Sequence, residues 1–355
     1  MKVKFKNIIL ISVLYLCFVF NVSNAWAQNP VSLDLNQAIQ MALESNKTYK
    51  SSLLEIEKAW ENREDAVGQI KFFTDDRWAS KDAIAKLTTF YISDNAWLSA
   101  RHSAEMQKDV IVNETARAYW EVKKSEYVLA KYIKQEKIDT KVVQDTTLLK
   151  KVGLVDNLKL IAAEAQLSQT RENIENAKKT LEDNKQKLKK LLNVSDSTEI
   201  QLISEPKITD ISKLDLKQLI TKAKERSPGL KLAKDQLNLA REQKNFTTPY
   251  QVGAKTEEQK ELSLMQSEQD LESNVKSIYY GLLQIANKTK QTQDSIRVAS
   301  ESLRIAKIKH QVGLITDQEL LKIENELNTI EQGQKELKCI FEQQYFSLKV
   351  LTGLE

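Results

Sequence analysis

Turn-forming residues are scarce: the chain has four prolines and eight glycines in 355 residues, against usual frequencies of roughly 5% and 7%. A chain that turns so seldom is built from long elements, which excludes a β-sandwich or barrel with a turn every ten or so residues. Histidine is almost absent. His102 and His310 each stand among charged residues in helical contexts and read as solvated side chains, not as ligands or bases. There is no H-E-x-x-H, no paired-cysteine spacing and no glycine-rich phosphate loop, so neither an enzyme nor a cofactor site has anything to stand on. Asp75-Asp76 reads as a solvated loop pair, and Lys185 to Lys190 as an outer helix face interrupted by Leu188. An excess of one charge is lacking as well. The formal net charge is +4 at 29% charged residues, which suits helices carrying both signs outward and is no nucleic-acid footprint.

What is present begins with a secretory signal. Lys2, Lys4 and Lys6 precede an apolar run from Ile8 to Val22 and an Ala25-Trp26-Ala27 cleavage pattern, so residues 1–27 are expected to be removed. Three basic residues and no acid lie in that segment, which takes the net charge from +4 to +1. Cys17 goes with it, leaving Cys339 without an intrachain partner.

The rest of the chain repeats itself. Leu35 to Glu44 recurs as Leu216 to Glu225 at an offset of 181, whereas Tyr119-Trp120 recurs as Tyr279-Tyr280 at 160. Val152-Gly153-Leu154-Val155 recurs as Val312-Gly313-Leu314-Ile315, also at 160, which places a 21-residue surplus between residues 50 and 119. Repeats of this kind are read before anything else because they set the fold. Leu160, Leu167, Ile174, Leu181 and Leu188 recur every seven residues, with Ala163, Ala177 and Leu191 beside them. That is a coiled-coil seam. Val298, Ile305 and Val312 keep the same spacing, followed by Ile323, Ile330 and Leu337, while Ala299, Ala306 and Gly313 form a small-residue stripe next to them. Gly153 and Gly313 are read as left-handed helix ends. Thr316 to Glu319 reads as a capping box, Asp156 as a weaker cap, and Asp215 as a cap where the helix resumes. The aromatic pairs read as helix packing. The fold expected is all-α and tandem-duplicated, made of long antiparallel coiled-coil hairpins. The divisions are a first repeat over 28–192 with an insert at about 68–95, a connector over 193–213, and a second repeat over 214–355 with an insert at about 245–254.

The signal segment, the L-x-x-A-I-x-x-A-L stretch from Leu35 to Leu43, and two halves each carrying V-G-L-[IV] before a Leu-rich helix resemble the TolC-type outer-membrane efflux proteins. The resemblance covers nearly the whole chain after residue 27. It implies a homotrimer whose hairpins form a hollow α-barrel, and a passive conduit for efflux or secretion. The partners implied are a periplasmic adaptor (membrane fusion protein) and an inner-membrane transporter, with no nucleic acid and no cofactor. It implies docking through Val152, Gly153, Leu154, Val312, Gly313 and Leu314. The location implied is the outer membrane and periplasm, or an extracytoplasmic face where no outer membrane exists. The family's membrane β-barrel takes two strands per half, and the inserts depart from that pattern. Two tilted strands and a turn need roughly 25 residues. The first insert is barely long enough, with one strand-like run from Leu87 to Ile92, and the second has about ten residues. The barrel portion is therefore read as reduced or absent. A second reading stays open: the same hairpins as an extracytoplasmic spacer or adaptor with no membrane pore.

Overall fold

The structure, a computed structural model, describes residues 31–70, 81–246 and 248–354; the readings on 1–27 and on Asp75-Asp76 lie outside these. A short strand β1 (Val31–Leu33) leads into α1 (Leu35–Ser45) and α2 (Lys47–Ile70). Helix α3 (Lys81–Lys151) runs to the first Val-Gly-Leu turn, and α4 (Asn157–Leu192) returns from it. The connector holds β2 (Ile200–Leu202) and a 3-10 turn at Ile211–Lys213. Helices α5 (Leu216–Arg226), α6 (Pro228–Phe246), α7 (Tyr250–Gln311) and α8 (Asp317–Thr352) then repeat the order of α1 to α4.

Seventy-one residues without a glycine or proline make α3 a rod of about 107 Å at 1.5 Å per residue. The other helices lie along it in rows. Toward the Val-Gly-Leu turns the order is α4, α3, α8, α7; toward the other end it is α2, α3, α6, α7. The short helices α1 and α5 lie across the middle, α1 on α3 and α4 and α5 on α7 and α8. Both are bent away from the helix that follows. The bends fall at Asn46 and Ser227, whose side chains accept from the backbone N–H of Tyr49 and Leu230.

Two apolar cores sit at this middle level and correspond to each other. Ala38, Ala42, Val122 and Leu188 of the first match Leu219, Ala223, Leu282 and Leu348 of the second. The correspondence reaches single hydrogen bonds. Tyr119 donates its hydroxyl to the Leu33 carbonyl at 3.0 Å and Tyr279 donates to the Leu214 carbonyl at 3.3 Å. Helices α4 and α8 both end on a left-handed residue, Asn193 and Gly353. Tyr119 also accepts from the Ser204 N–H at 2.8 Å, tying the connector to the first core beside the parallel β1–β2 pair. Glu205 adds a second tie, accepting from Tyr127 at 2.8 Å and Lys123 at 3.2 Å.

Three expectations need correction. Leu87 to Ile92 is not a strand but part of α3; with Ala at 83, 85, 96 and 100, helix packing overrides the local β propensity of Thr88, Thr89 and Ile92. The second insert is shorter than read, since three residues separate α6 from α7. Gly253 lies inside α7, where an added Cβ would fall 2.8 Å from Lys244; only glycine lets the two helices close so tightly. Finally, the α4 seam is buried at Leu167, Ile174 and Leu188, but the run Val298, Ile305 and Val312 on α7, read at the same spacing, is not. Ala306 is buried and Ala299 half-buried, while the bulkier Val298, Ile305 and Val312 are exposed.

Tyr119→Phe leaves the part-buried Ser204 N–H without its partner and the Leu33 carbonyl with only the Ile203 N–H. The expected loss is about 1–3 kcal/mol in urea unfolding, with a smaller loss for Tyr279→Phe. Burial holds the Cys339 thiol up at about 12, so the native protein is expected to resist thiol reagents at pH 8. Labelling should proceed at an ordinary thiol rate only after unfolding; fast labelling of the native chain would show that this core opens.

Candidate functional site: hairpin tips and the joints behind them

The two Val-Gly-Leu turns are built alike. At the end of α3, the Leu154 N–H donates to the Leu149 carbonyl and the Gly153 N–H to Lys150; at the end of α7, Leu314 donates to Lys309 and Gly313 to His310. This pairing pattern is a Schellman motif, and it requires a left-handed residue after the helix. Gly153 and Gly313 supply it, each at φ 74°. Each following helix opens on a side-chain cap. Asp156 accepts from the Lys159 N–H at 2.9 Å. Thr316 and Glu319 form a reciprocal capping box, in which the Thr316 backbone and hydroxyl bonds hold the Glu319 carboxyl below its usual range. The cap at Asp156 is thus the simpler of the two, a single bond without the reciprocal one that Glu319 supplies.

The six residues read as docking positions all lie in these turns. A helix end of this type commonly buries its apolar residue against the preceding turn. Here Leu154 and Leu314 are each 72% exposed, and Val152 and Val312 are exposed with them. A clasp closes each turn at equivalent positions: Lys150 Nζ on Asn157 Oδ1 and His310 Nε2 on Asp317 Oδ1, both at 2.5 Å. His310 is therefore paired at the second tip. His102 is not solvated either, since it lies between α3 and α6 with Nε2 3.0 Å from Asp235. Lys189 departs from the outer-face reading of its run, being buried with its ammonium on the Asp196 carbonyl. Leu188 is buried as read, and so are Tyr119 and Trp120, but Tyr280 is exposed.

Behind the tips the joints differ in chemistry. Within the first hairpin, α3 and α4 meet over the apolar seam and three side-chain bonds: Thr170 Oγ1 to Asp139 Oδ2 at 2.6 Å, Asn184 to Ser125 at 2.8 Å and Arg171 to Glu136 at 3.1 Å. Between hairpins, α3 and α8 meet over polar groups. Lys131 pairs with Glu336 at 3.5 Å, Asn325 donates to Gln135, and Gln343 donates to Glu121 at 3.0 Å. Gln135 donates in turn to Asp139, so one chain of hydrogen bonds crosses α4, α3 and α8. Asn328 and Gln332 are buried on the same helix. The heptad reading missed this ladder because it follows apolar positions; the polar run Asn325, Asn328, Gln332 at helical spacing was the available signal.

At the far end, the Arg63 guanidinium lies over the rings of Trp60, Phe90 and Trp97 and bonds to Asp94 at 2.5 Å. Lys244 and Glu257 make a similar brace in the second half, also at 2.5 Å. Among the described residues no group of side chains could hold a metal ion, and no helix is long and apolar enough to cross a membrane.

Known structures of outer-membrane channels share this arrangement. The outer-membrane channel OprN superposes with a TM-score of 0.71 at 12% identity, over 90% of this chain and 89% of that one. The Campylobacter jejuni CmeC outer membrane channel gives 0.70 at 12% identity, over 90% and 85%. CusC, solved in a study of its folding and transmembrane channel formation, gives 0.68 at 12%, over 94% and 95%. No protein-family model matches the sequence, nor does any curated protein. The fold of this chain is therefore the one the TolC-type resemblance implies, a duplicated arrangement of long helical hairpins.

An added Cβ at Gly153 or Gly313 meets no atom within 4 Å, so alanine there bears only the left-handed backbone penalty. Each Gly→Ala change is expected to cost about 1–2 kcal/mol locally, read as faster amide exchange at Leu154 or Leu314 with helicity unchanged. Equal exchange in variant and parent would mean that these turns already open freely.

Proposed function

We propose that this protein is the channel component of an export or efflux system: a trimeric, passive conduit docked through its hairpin tips by a periplasmic adaptor working with an inner-membrane transporter. The observation that carries the reading is the pair of tips. Two turns with the same sequence and hydrogen bonds present Val152, Leu154, Val312 and Leu314 to solvent. Exposed apolar side chains on a rigid turn form a recognition surface, because nothing inside the chain gains from them. The fold shared with outer-membrane channels supports the same reading. So does the bare outer face of α7, since a row of helices with an open margin is completed by another copy.

Opening follows from the joints. The first hairpin is held together by a continuous apolar seam with a few side-chain bonds, whereas its joint to the second hairpin on the tip side uses the Lys131–Glu336 and Gln135–Asn325 contacts in place of such a seam. Polar pairs at a partly hydrated joint exchange partners with water at little net loss. Separation between α3 and α8 is therefore easier than within either hairpin, and untwisting there widens the conduit at its tips.

One observation favours a second reading, an extracytoplasmic spacer or adaptor with no pore. Three residues join α6 to α7, whereas a single tilted membrane strand needs about 9–11. Light scattering on the exported chain, with and without detergent, separates the two. A trimer that needs detergent supports the conduit, and a detergent-free monomer or dimer supports the spacer. Docking is tested by Gly153→Asp and Gly313→Asp, which are expected to abolish adaptor-dependent export while the helical circular dichroism stays unchanged. Normal export by both variants would remove the tips from the docking surface.

A further inference from the structure

The two hairpins carry matching grooves at the level of the apolar cores. The first, of about 620 Å³, lies between α3 and α4, and Glu114, Arg117, Glu121, Lys187 and Lys190 are among its walls. The second, of about 560 Å³, is lined on α7 and α8 by Asn274, Ser277, Ile278, Gln344, Ser347 and Leu351. These are the repeat counterparts, at an offset of 160, of Glu114, Arg117, Ala118, Asn184, Lys187 and Leu191 in the first groove. Both grooves open away from the short crossing helices. Arg117 and Glu121 each lie two residues from Tyr119, which packs in one core with Ala38 and Ala42 of α1, and two residues turn a helix by about 200°. Ser277 stands in the same relation to Tyr279, which packs on the core that holds Ala223 of α5.

One place in the repeat therefore carries two chemistries. Arg117 becomes Ser277, Lys187 becomes Ser347, Glu114 becomes Asn274, and Lys190 becomes the buried Val350. The second hairpin folds on the same plan with no charge at these positions, so the first does not need its charges in order to fold. Nor are its cations used up inside the chain. Glu121 is taken by Lys124 at 2.6 Å, and among the described residues Arg117, Lys187 and Lys190 make no ion pair within 4.0 Å. The helix end behind them is served by Lys189, whose ammonium bonds the Asp196 carbonyl. Three cations thus share the groove with one uncompensated carboxylate, Glu114. A recess with apolar walls concentrates the field of an excess charge of one sign.

We infer that the α3–α4 groove is a site for anions with two or more negative charges on carboxylate or phosphate groups, held by Arg117 and Lys187 with Lys190 beside them. A guanidinium offers such a group a planar fork of donors, and an ammonium offers a mobile point charge. The two together suit a ligand with more than one acid group. A row of helices that closes into a conduit with α1 and α5 on its outside turns this groove to the passage. The cargo that the passage favours is then anionic. This last step rests on the proposed conduit, whereas the binding itself belongs to the single chain.

The test is titration calorimetry of the exported chain at low ionic strength, with citrate and pyrophosphate as probes. Saturable binding that weakens as salt is raised is expected; binding of one probe alone would name the acid group the groove takes. Arg117→Ser with Lys187→Ser installs the residues that the second hairpin already holds at these positions. It is expected to weaken binding roughly tenfold with unchanged circular dichroism. Arg117→Gln with Lys187→Gln repeats the measurement, in case the serine pair disturbs folding. Lys179→Ser, on the exposed side of α4 outside the groove, is expected to bind as the parent does. No saturable heat from either probe, a double variant that binds as tightly as the parent, or an equal loss in Lys179→Ser would overturn the site and leave the conduit reading standing. Light scattering reads assembly separately. A chain that binds the anions but stays single at every concentration would keep the site and overturn the conduit with its anionic cargo.

Discussion

The uninterrupted backbone hydrogen bonding of α3 is the constraint on which the rest depends. Helix α3 packs against α1, α2, α4, α6 and α8, so every other layer takes its position from one rod. A break anywhere in it would uncouple the tip from the far end. Its sequence keeps out glycine and proline throughout, and each of these residues weakens a helix interior by about 1 and 3 kcal/mol respectively. At the two tips the turn is fixed by a left-handed glycine followed by a side-chain cap. The hairpins are therefore stiff rods with sharply defined ends. Rods of this kind can carry a displacement at a tip along their whole length, because packed helices slide or rotate as units and do not compress.

The joints then decide what moves. Leu167, Ile174 and Leu188 hold α4 on α3 by burial, which is strong and indifferent to small shifts along the seam. The α3–α8 joint depends on Gln135, Asn325, Lys131 and Glu336, whose bonds have direction and one preferred register. A buried polar ladder of this type sets alignment more than it adds stability. The Thr170–Asp139–Gln135–Asn325 chain couples the two kinds of joint. The bonds of Asp139 to Thr170 and Gln135 do not depend on the Asn325 contact, so the first hairpin carries its own polar anchor.

Much of this was legible in the residues. The duplication, the heptad seam of α4, the left-handed glycines and the caps at Asp215 and Thr316 all follow from local rules that act within a few residues, and all are found. The misreadings share one cause. Val298, Ile305 and Val312 have the spacing of a core seam, and spacing alone cannot say which neighbour a seam faces. The Leu87–Ile92 run has strand propensity, but alanines on both sides let α2 lie close enough to make it helix. His102 reads as solvated because its partner Asp235 lies 133 positions away. Such tertiary partners leave no mark at short range.

The divergence between the two halves carries its own information. Positions that face each half's interior have stayed chemically alike, as with Tyr119 and Tyr279 or Ala42 and Ala223. Positions on the outer faces of α3 and α7 have not. Trp120 is buried while Tyr280 is exposed, and His102 is paired while Leu262 is bare. Packing density restrains the first group equally in both halves, because a change of even one methylene is felt in a filled core. The second group answers to a different neighbour in each half. For α3 that neighbour is in the chain. On α7, Leu262, Tyr280 and Val298 stand exposed along one face of the helix. The duplicated chain has therefore kept its two interiors alike and let the outer faces of α3 and α7 diverge.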